Sequence, residues 1–461
     1  MSLIVTQRPS TTISGNTSRW NAAKNPIVYK MIRKDYTWTV VNNNAGRIEV
    51  LHSGPSTPFT VGKKFWLVSG NGLYNQQVTV NSTVGSSPTT IIFNETYLGS
   101  GGSDIWYNDI TSRTNYRVRV GVYNTANSLL STLSYSPDKS GNLIIDVATP
   151  LLNNLSVDNV ADYVTGFTTN DETSAYVRFY IRYTEVWTGS AESETNDTAN
   201  QFFALYGARQ IGELYGGNMA EYVTYENATP LSLFPTKFKE LSYWTGWPFS
   251  IHAIMSDNRS TTSGFLISSF DANNTPILDD YTSTALISAG GKLIRIKPFP
   301  NFTLPTNAAY FFIRLTKPGI SFLSENKRVN IKEPCANPIM LWWRNSLGGD
   351  AFWMFEVNQS YSYRYDNERK AKRYVLFASN LRLDEFDGIN ELNTLGEVYE
   401  PAITELTTSV NKSQARIGSQ VYMMDATGKK TGVIVIPTEV STKTKFSKHK
   451  IQITIELPEI Y

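Results

Sequence analysis

Apolar and polar residues alternate along much of this chain with a period of two, in short runs closed by Asn, Gly, Ser or Pro. Tyr116–Tyr123 reads Tyr-Arg-Val-Arg-Val-Gly-Val-Tyr. In 175–187, Val177, Phe179 and Ile181 point one way and Arg178, Tyr180 and Arg182 the other. Lys450–Leu457 alternates without a break. Successive side chains of a strand face opposite sides of a sheet, so each run predicts a half-buried strand. Shorter runs at 27–32, 36–41, 47–51, 64–68, 77–80 and 89–93 predict further strands, with turns at Gly70-Asn-Gly72 and Gly85-Ser-Ser-Pro88.

Two runs are apolar throughout. Ile339–Trp343 and Ala351–Phe355 flank a turn containing Asn345, Gly348 and Gly349. Unbroken apolar strands around a glycine turn predict a hairpin buried on both faces, because glycine reaches positive φ without a steric penalty. Three segments suggest helix. Asp384 can cap a run that places Phe386, Ile389 and Leu392 three apart, Gln201–Ala208 fits a short helix, and 149–164 reads as a linker with one helical turn. The acidic, Ser/Thr-rich segment 189–200 reads as a mobile loop.

The expected fold is all-β, with several immunoglobulin-like sandwiches, a small inserted β-barrel and few short helices. A length of 461 residues suits about three domains. The runs divide into an N-terminal sandwich over 1–155 carrying the small insert at about 55–110, a central β domain over 156–334, and a C-terminal β domain over 335–461 with the Trp-Trp hairpin and one short helix. Composition agrees: 13% of residues are aromatic and 18% charged, which favours strands and partly wet interfaces over a strongly charged surface.

Charge narrows the function classes. The formal net charge is +2, so no field of one sign recruits nucleic acid or a membrane to the whole molecule. Cys335 is the one cysteine, which excludes an intrachain disulfide and suits assembly in a reducing compartment. The opening residues lack a secretory leader and no apolar run approaches membrane-spanning length, so the expectation is synthesis in the cytoplasm with no membrane binding.

Candidate chemistry is sparse. His52, His252 and His449 stand apart, without metal-ligand spacing, and are expected in structural roles. The glycine-rich Leu98–Ser103 is followed by Asp104 and Trp106 rather than by a lysine or a helix start, so it predicts a surface turn. The acids Asp279 and Asp280, and Asp384, Glu385 and Asp387, suit solvated loops and helix starts better than a glycosidase pair. Neither a catalytic residue nor a cofactor or metal site is expected. Trp187, Trp244 and Trp247 fit a sandwich core, with a glycan-facing surface as the alternative. The basic stretch Arg364–Arg373, interleaved with Tyr361, Tyr363, Tyr365 and Tyr374, fits either a phosphate backbone or pairing with acidic loops of another subunit.

Several segments together carry a resemblance: Thr6-Gln-Arg-Pro9, Trp20-Asn21, Lys24-Asn-Pro-Ile-Val28, the small β insert, Tyr116–Val122 with Ser136-Pro-Asp138, Phe179–Glu185, Tyr243–Pro248 and Leu341–Phe355. In these the chain resembles virion structural proteins of tailed phages infecting Bacteroidetes, particularly crAss-like podoviruses. The most specific part is Trp343-Arg-Asn-Ser-Leu-Gly-Gly-Asp350, which is similar to a Trp-x-Asn-x-Leu-Gly-Gly core in that family. The resemblance implies a tail hub, ring or adaptor of immunoglobulin-like domains, present in the virion tail. Its implied partners are copies of itself and other tail and neck proteins, with DNA only as passing cargo. It implies no enzymatic activity, and it makes Trp342, Trp343, Arg344, Asn345, Gly348 and Gly349 an interface or core motif. The alternatives are a receptor- or carbohydrate-binding tail fibre protein and, more remotely, a tail-borne glycan hydrolase.

Overall fold

A computed structural model describes residues 3–37, 40–41, 46–52, 59–85, 89–99, 105–109, 113–155, 169–171, 173–209, 215–227, 229–257, 264–282, 290–299, 302–317, 319–320, 322–355, 357–364, 372–377, 380–385, 389–399, 421–441 and 448–457. The chain is all-β. Among the described residues, α-helix is confined to Ala148–Leu152, with a 3-10 turn at Ala220–Tyr222. Two compact units form: one from 1–9, 26–151 and 178–202, the other from 10–25, 152–177 and 203–461.

The first unit contains three sheets. Leu3–Gln7, Val28–Arg33 and Asn142–Asp146 form one, with Leu3, Tyr29, Met31, Leu143 and Ile145 buried on its inner side. A second sheet runs, in spatial order, through Tyr36–Thr37, Ile105–Asp109, Lys64–Ser69, Asn75–Val84, Thr89–Thr96, Arg47–His52 and Val40–Val41. It encloses its own apolar cluster, in which Phe93 and Tyr107 stack at 5.3 Å. In the third, Arg117–Asn124 lies between Leu129–Tyr135 and Tyr176–Trp187. The alternation read from the sequence holds for Val118, Val120, Val122, Phe179 and Ile181, which are buried, and for Arg117, Arg119 and Arg178, which are exposed; Tyr180, on the arginine face, is buried as well, stacked on Tyr123 at 5.7 Å.

Side chains at the ends of strands from all three sheets meet in one ionic network. Arg33 is ion-paired with Asp35, whose Oδ2 accepts from the Asp109 amide at 2.8 Å. Lys63 Nζ lies 2.6 Å from Asp109, and Arg113 Nη1 lies 2.6 Å from Glu185 and 3.6 Å from Asp35. The carboxylates are almost fully buried, so each needs these partners to offset its lost hydration.

In the second unit, a five-stranded sheet (Glu240–Trp244, Lys327–Lys332, Tyr310–Thr316, Gly264–Phe270, Pro276–Thr282) faces a four-stranded one (Thr169–Asp171, Leu293–Ile296, Ile251–Met255, Val223–Thr224). Phe265, Ile267, Phe311 and Ile313 from one side meet Ile251, Ala253, Ile294 and Ile296 from the other, which makes a β-sandwich core. The remaining large sheet orders Asp350–Phe355, Ile339–Arg344, Val421–Met424, Lys430–Ser441, Lys448–Leu457, Ile389–Tyr399 and Val357–Arg364.

Three expectations change. The helix expected from Asp384 is absent: Asn380–Glu385 and Ile389–Tyr399 are strands, and Phe386 lies outside the described residues. Ten consecutive residues of Ile389–Tyr399 pair with Lys448–Leu457, and that long-range ladder outweighs a weak local helical spacing of three apolar residues. Within Gln201–Ala208, Phe202–Leu205 is a strand of four buried residues, and Phe203–Leu205 pairs in parallel with Trp20–Ala22. The segment 189–200 is not a loose loop, since Ser190–Ala191 and Thr195–Asn196 pair back onto Tyr176–Trp187, and Arg8 holds Asp197 through two contacts of 3.1 Å. Residues 100–103, 365–371 and 387, from the glycine-rich turn, the basic stretch and the acid group, lie outside the described residues.

Candidate functional site: a buried ionic centre beneath the Trp-Trp hairpin

The hairpin forms as the pattern predicts. Ile339–Arg344 and Asp350–Phe355 pair from Ile339↔Phe355 through Arg344↔Asp350. The Asn345 amide donates to Gly349 O at 2.8 Å, and Asn345 Oδ1 accepts from the amides of Leu347 and Gly349 at 2.8 and 3.0 Å. Asn345 Nδ2 donates to Pro235 O at 2.9 Å, so this one side chain both builds the turn and ties it down.

The turn admits no larger residues. Gly348 has φ +86°, and a Cβ there would sit 2.8 Å from Leu205 Cγ and 2.9 Å from Tyr206 O. A Cβ on Gly349 would sit 2.7 Å from Pro235 O. Leu347 fills a pocket with Trp20, Phe203 and Leu205, and the Ala208 amide donates to Ser346 O at 2.6 Å. The six hairpin residues singled out in the sequence therefore sit inside the second unit: Trp342, Trp343, Arg344 and Asn345 are each at most 3% exposed.

At the base of the hairpin, the cross-strand pair Arg344 and Asp350 anchors a buried cluster. Asp350 Oδ1 lies 3.0 Å from Arg344 Nη1, and Oδ2 lies 3.0 Å from Arg295 Nε. Ser250 Oγ donates to Oδ2 at 3.0 Å. The Asp350 amide donates to His252 Nδ1 at 3.1 Å, which places the ring proton on Nε2, 3.9 Å from the carboxylate. Lys430 Nζ lies 3.6 Å from the centre of the Trp342 ring. Burial alone pushes the Asp350 carboxyl up, but the fields of the Arg295 and Arg344 guanidiniums and of Lys430 outweigh it and hold the group well below the usual carboxylate range.

An ionised acid beside an imidazole is a chemically capable pair, and the space around it sets what it can meet. One cavity of about 20 Å³ touches Ser250, His252 and Asp350, and a second of about 10 Å³ touches Arg295, Trp342 and Lys430. Volumes of that order are about the size of a single water. The Asp350 carboxylate is engaged by two guanidiniums and a hydroxyl, which fixes it as a tie between strands.

The tryptophans weighed as glycan-facing are divided. Trp244 is 1% exposed, edge-on to Trp353 at 5.6 Å, and Trp247 packs on the same apolar cluster half-buried. Trp187 belongs to the other unit, half-buried with the Arg113 guanidinium 4.6 Å from its ring. Of the histidines, His252 is the buried member of the cluster. Sequence reasoning did not assemble Ser250, His252, Arg295 and Lys430 around Asp350. The one local signal was an opposite-charge pair, Arg344 and Asp350, bracketing a turn between wholly apolar strands.

Among the described residues, no group of three or more His, Cys, Asp or Glu side chains could hold a metal ion, and no helix is long and apolar enough to cross a membrane. No protein-family model matches the chain, and no curated protein is significantly similar to it.

Proposed function

We propose that the chain is a structural component of a bacteriophage tail, of the hub or ring type, which associates with copies of itself and docks other tail and neck proteins in the virion. Its sandwiches are read as immunoglobulin-like modules, and DNA meets it only in transit. The observation that carries the reading is the use made of the most reactive side chains. Asp350, His252, Arg295 and Arg344 are buried together around water-sized cavities and tie the Trp-Trp hairpin to the sandwich beneath it.

A tail part needs stiffness and broad contact faces. Half-buried Tyr and Arg on sheet faces, such as Tyr123 with the Arg182 guanidinium 4.4 Å from its ring, suit large polar interfaces. Closed symmetric assembly would satisfy those faces without leaving a sticky surface. Proteomics and cryo-EM of purified particles test the reading: the chain is expected in tails at fixed copy number and with rotational symmetry. Its absence from virions, together with strictly monomeric behaviour in solution, would end the proposal.

A further inference from the structure

A strand at a sheet border offers unpaired amides and carbonyls to any extended chain, and proteins blunt such borders with charge, proline, bulges or brevity. Most borders here are blunted. The Leu3–Gln7 strand shifts register between Val5 and Gln7, and Pro276–Thr282 opens on proline, carries Asp279 and Asp280, and shifts twice. Glu240–Trp244 carries Glu240, Asn142–Asp146 ends on exposed Asp146, and Val357–Arg364 is shifted near its start and ends on arginine. The seven-stranded sheet of the first unit ends in two-residue strands at Tyr36–Thr37 and Val40–Val41.

Leu129–Tyr135 differs. It reads Leu-Leu-Ser-Thr-Leu-Ser-Tyr, with no charge and no proline, and among the described residues its one strand neighbour is Arg117–Asn124. An irregularity at Leu130 leaves Ser131–Tyr135 as an unbroken ladder against Val118–Val122. Ser131, Leu133 and Tyr135 share the face of buried Val118, Val120 and Val122 yet are only half-buried themselves, so the apolar face runs out to an open border.

We propose that this border is a docking edge for the same strand of a second copy of the chain, the two strands pairing antiparallel about a two-fold axis at Leu133. The inference rests on the self-associating reading above and adds the contact that performs it. The register is self-complementary. Centring the regular stretch on Leu133 sets Ser131 opposite Tyr135, Thr132 opposite Ser134, and Leu133 opposite itself, so no like charges meet and a half-buried leucine becomes covered. Each copy supplies the same patch, which makes the contact isologous.

Single-cysteine variants test the geometry after Cys335, the one native cysteine, is replaced by serine. Opposed residues on paired strands lie about 4.5–5.5 Å apart between Cα atoms, within disulfide reach. Leu133→Cys is therefore expected to form a disulfide-linked dimer under mild oxidation. Tyr135→Cys is expected to stay unlinked, because four residues of offset place its counterpart roughly 13 Å away. Leu133→Lys sets two ammonium groups against each other on the axis and is expected to weaken association measured by sedimentation roughly tenfold or more, with the far-UV circular dichroism of the folded chain retained. Self-association of the parent with equal or no cross-linking of the two cysteine variants, or with no effect of Leu133→Lys, overturns this edge alone. A parent that sediments as a monomer at every concentration overturns both this contact and the self-associating reading.

Discussion

Replacing Asp350 by asparagine removes one charge and almost no volume, and so isolates what the buried ionic centre contributes. In the native protein the carboxylate faces Arg344 at 3.0 Å, Arg295 at 3.0 Å and the Ser250 hydroxyl at 3.0 Å, with its side chain 2% exposed. The variant retains an oxygen for one donor but leaves two buried guanidiniums without their counter-ion. Breaking a buried pair from one side costs about 3–5 kcal/mol, because the stranded charge cannot recover its hydration. Arg344→Met combined with Asp350→Leu is expected to cost less than the sum of the single changes, since coupled neighbours are non-additive by about 0.5–3 kcal/mol.

The same centre makes a signed pH prediction. The folded Asp350 carboxyl is held below its unfolded value, so its contribution is complete above the unfolded value of about 4 and is lost as pH falls below it. Native protein should therefore lose stability on acidification over that range more steeply than Asp350→Asn does. Urea unfolding followed by tryptophan fluorescence at a series of pH values measures both effects, since Trp342, Trp343 and Trp353 lie in the same core. A loss below about 1 kcal/mol for Asp350→Asn, or parallel pH profiles for the two proteins, refutes the reasoning.

Three further outcomes are expected. Gly348→Ala combines a left-handed backbone with contacts under 3 Å to Leu205 and Tyr206, and should cost about 2–4 kcal/mol in chemical denaturation; a neutral result would mean the turn relaxes freely. Trp244→Ala empties a fully enclosed site and should cost about 3–5 kcal/mol, whereas Trp187→Ala loses half-buried area and a cation–π contact and should cost clearly less, the order of the two midpoints being the check. Glu185→Gln removes the negative charge 2.6 Å from Arg113 and should lower the stability of the first unit by about 1.5–3 kcal/mol, read by hydrogen exchange on Arg117–Asn124.

Strands were the most legible level of the sequence, because alternation and burial are the same fact seen at two scales. Tyr116–Tyr123 and 175–187 form neighbouring strands with the faces their patterns assign. The hairpin was legible for the same reason, and its glycines marked the turn. The segment 384–395 was misread because three apolar residues at helical spacing say nothing about a partner strand some sixty positions further on. The ionic centre was hidden in a different way. Ser250, His252, Arg295 and Lys430 are unremarkable where they stand in the chain, and only the sandwich topology brings them to Asp350. Local propensity holds no record of such convergence.

The placement of Lys448–Leu457 has a consequence for the sheet around it. This late segment is inserted between Lys430–Ser441 and Ile389–Tyr399 rather than added outside them. A chain truncated before residue 448 would leave a gap inside this seven-stranded sheet, with unpaired amides and carbonyls on both flanking strands. Filling that gap takes ladders on both sides of Lys448–Leu457 at once, so the two flanking strands depend on it for their pairing.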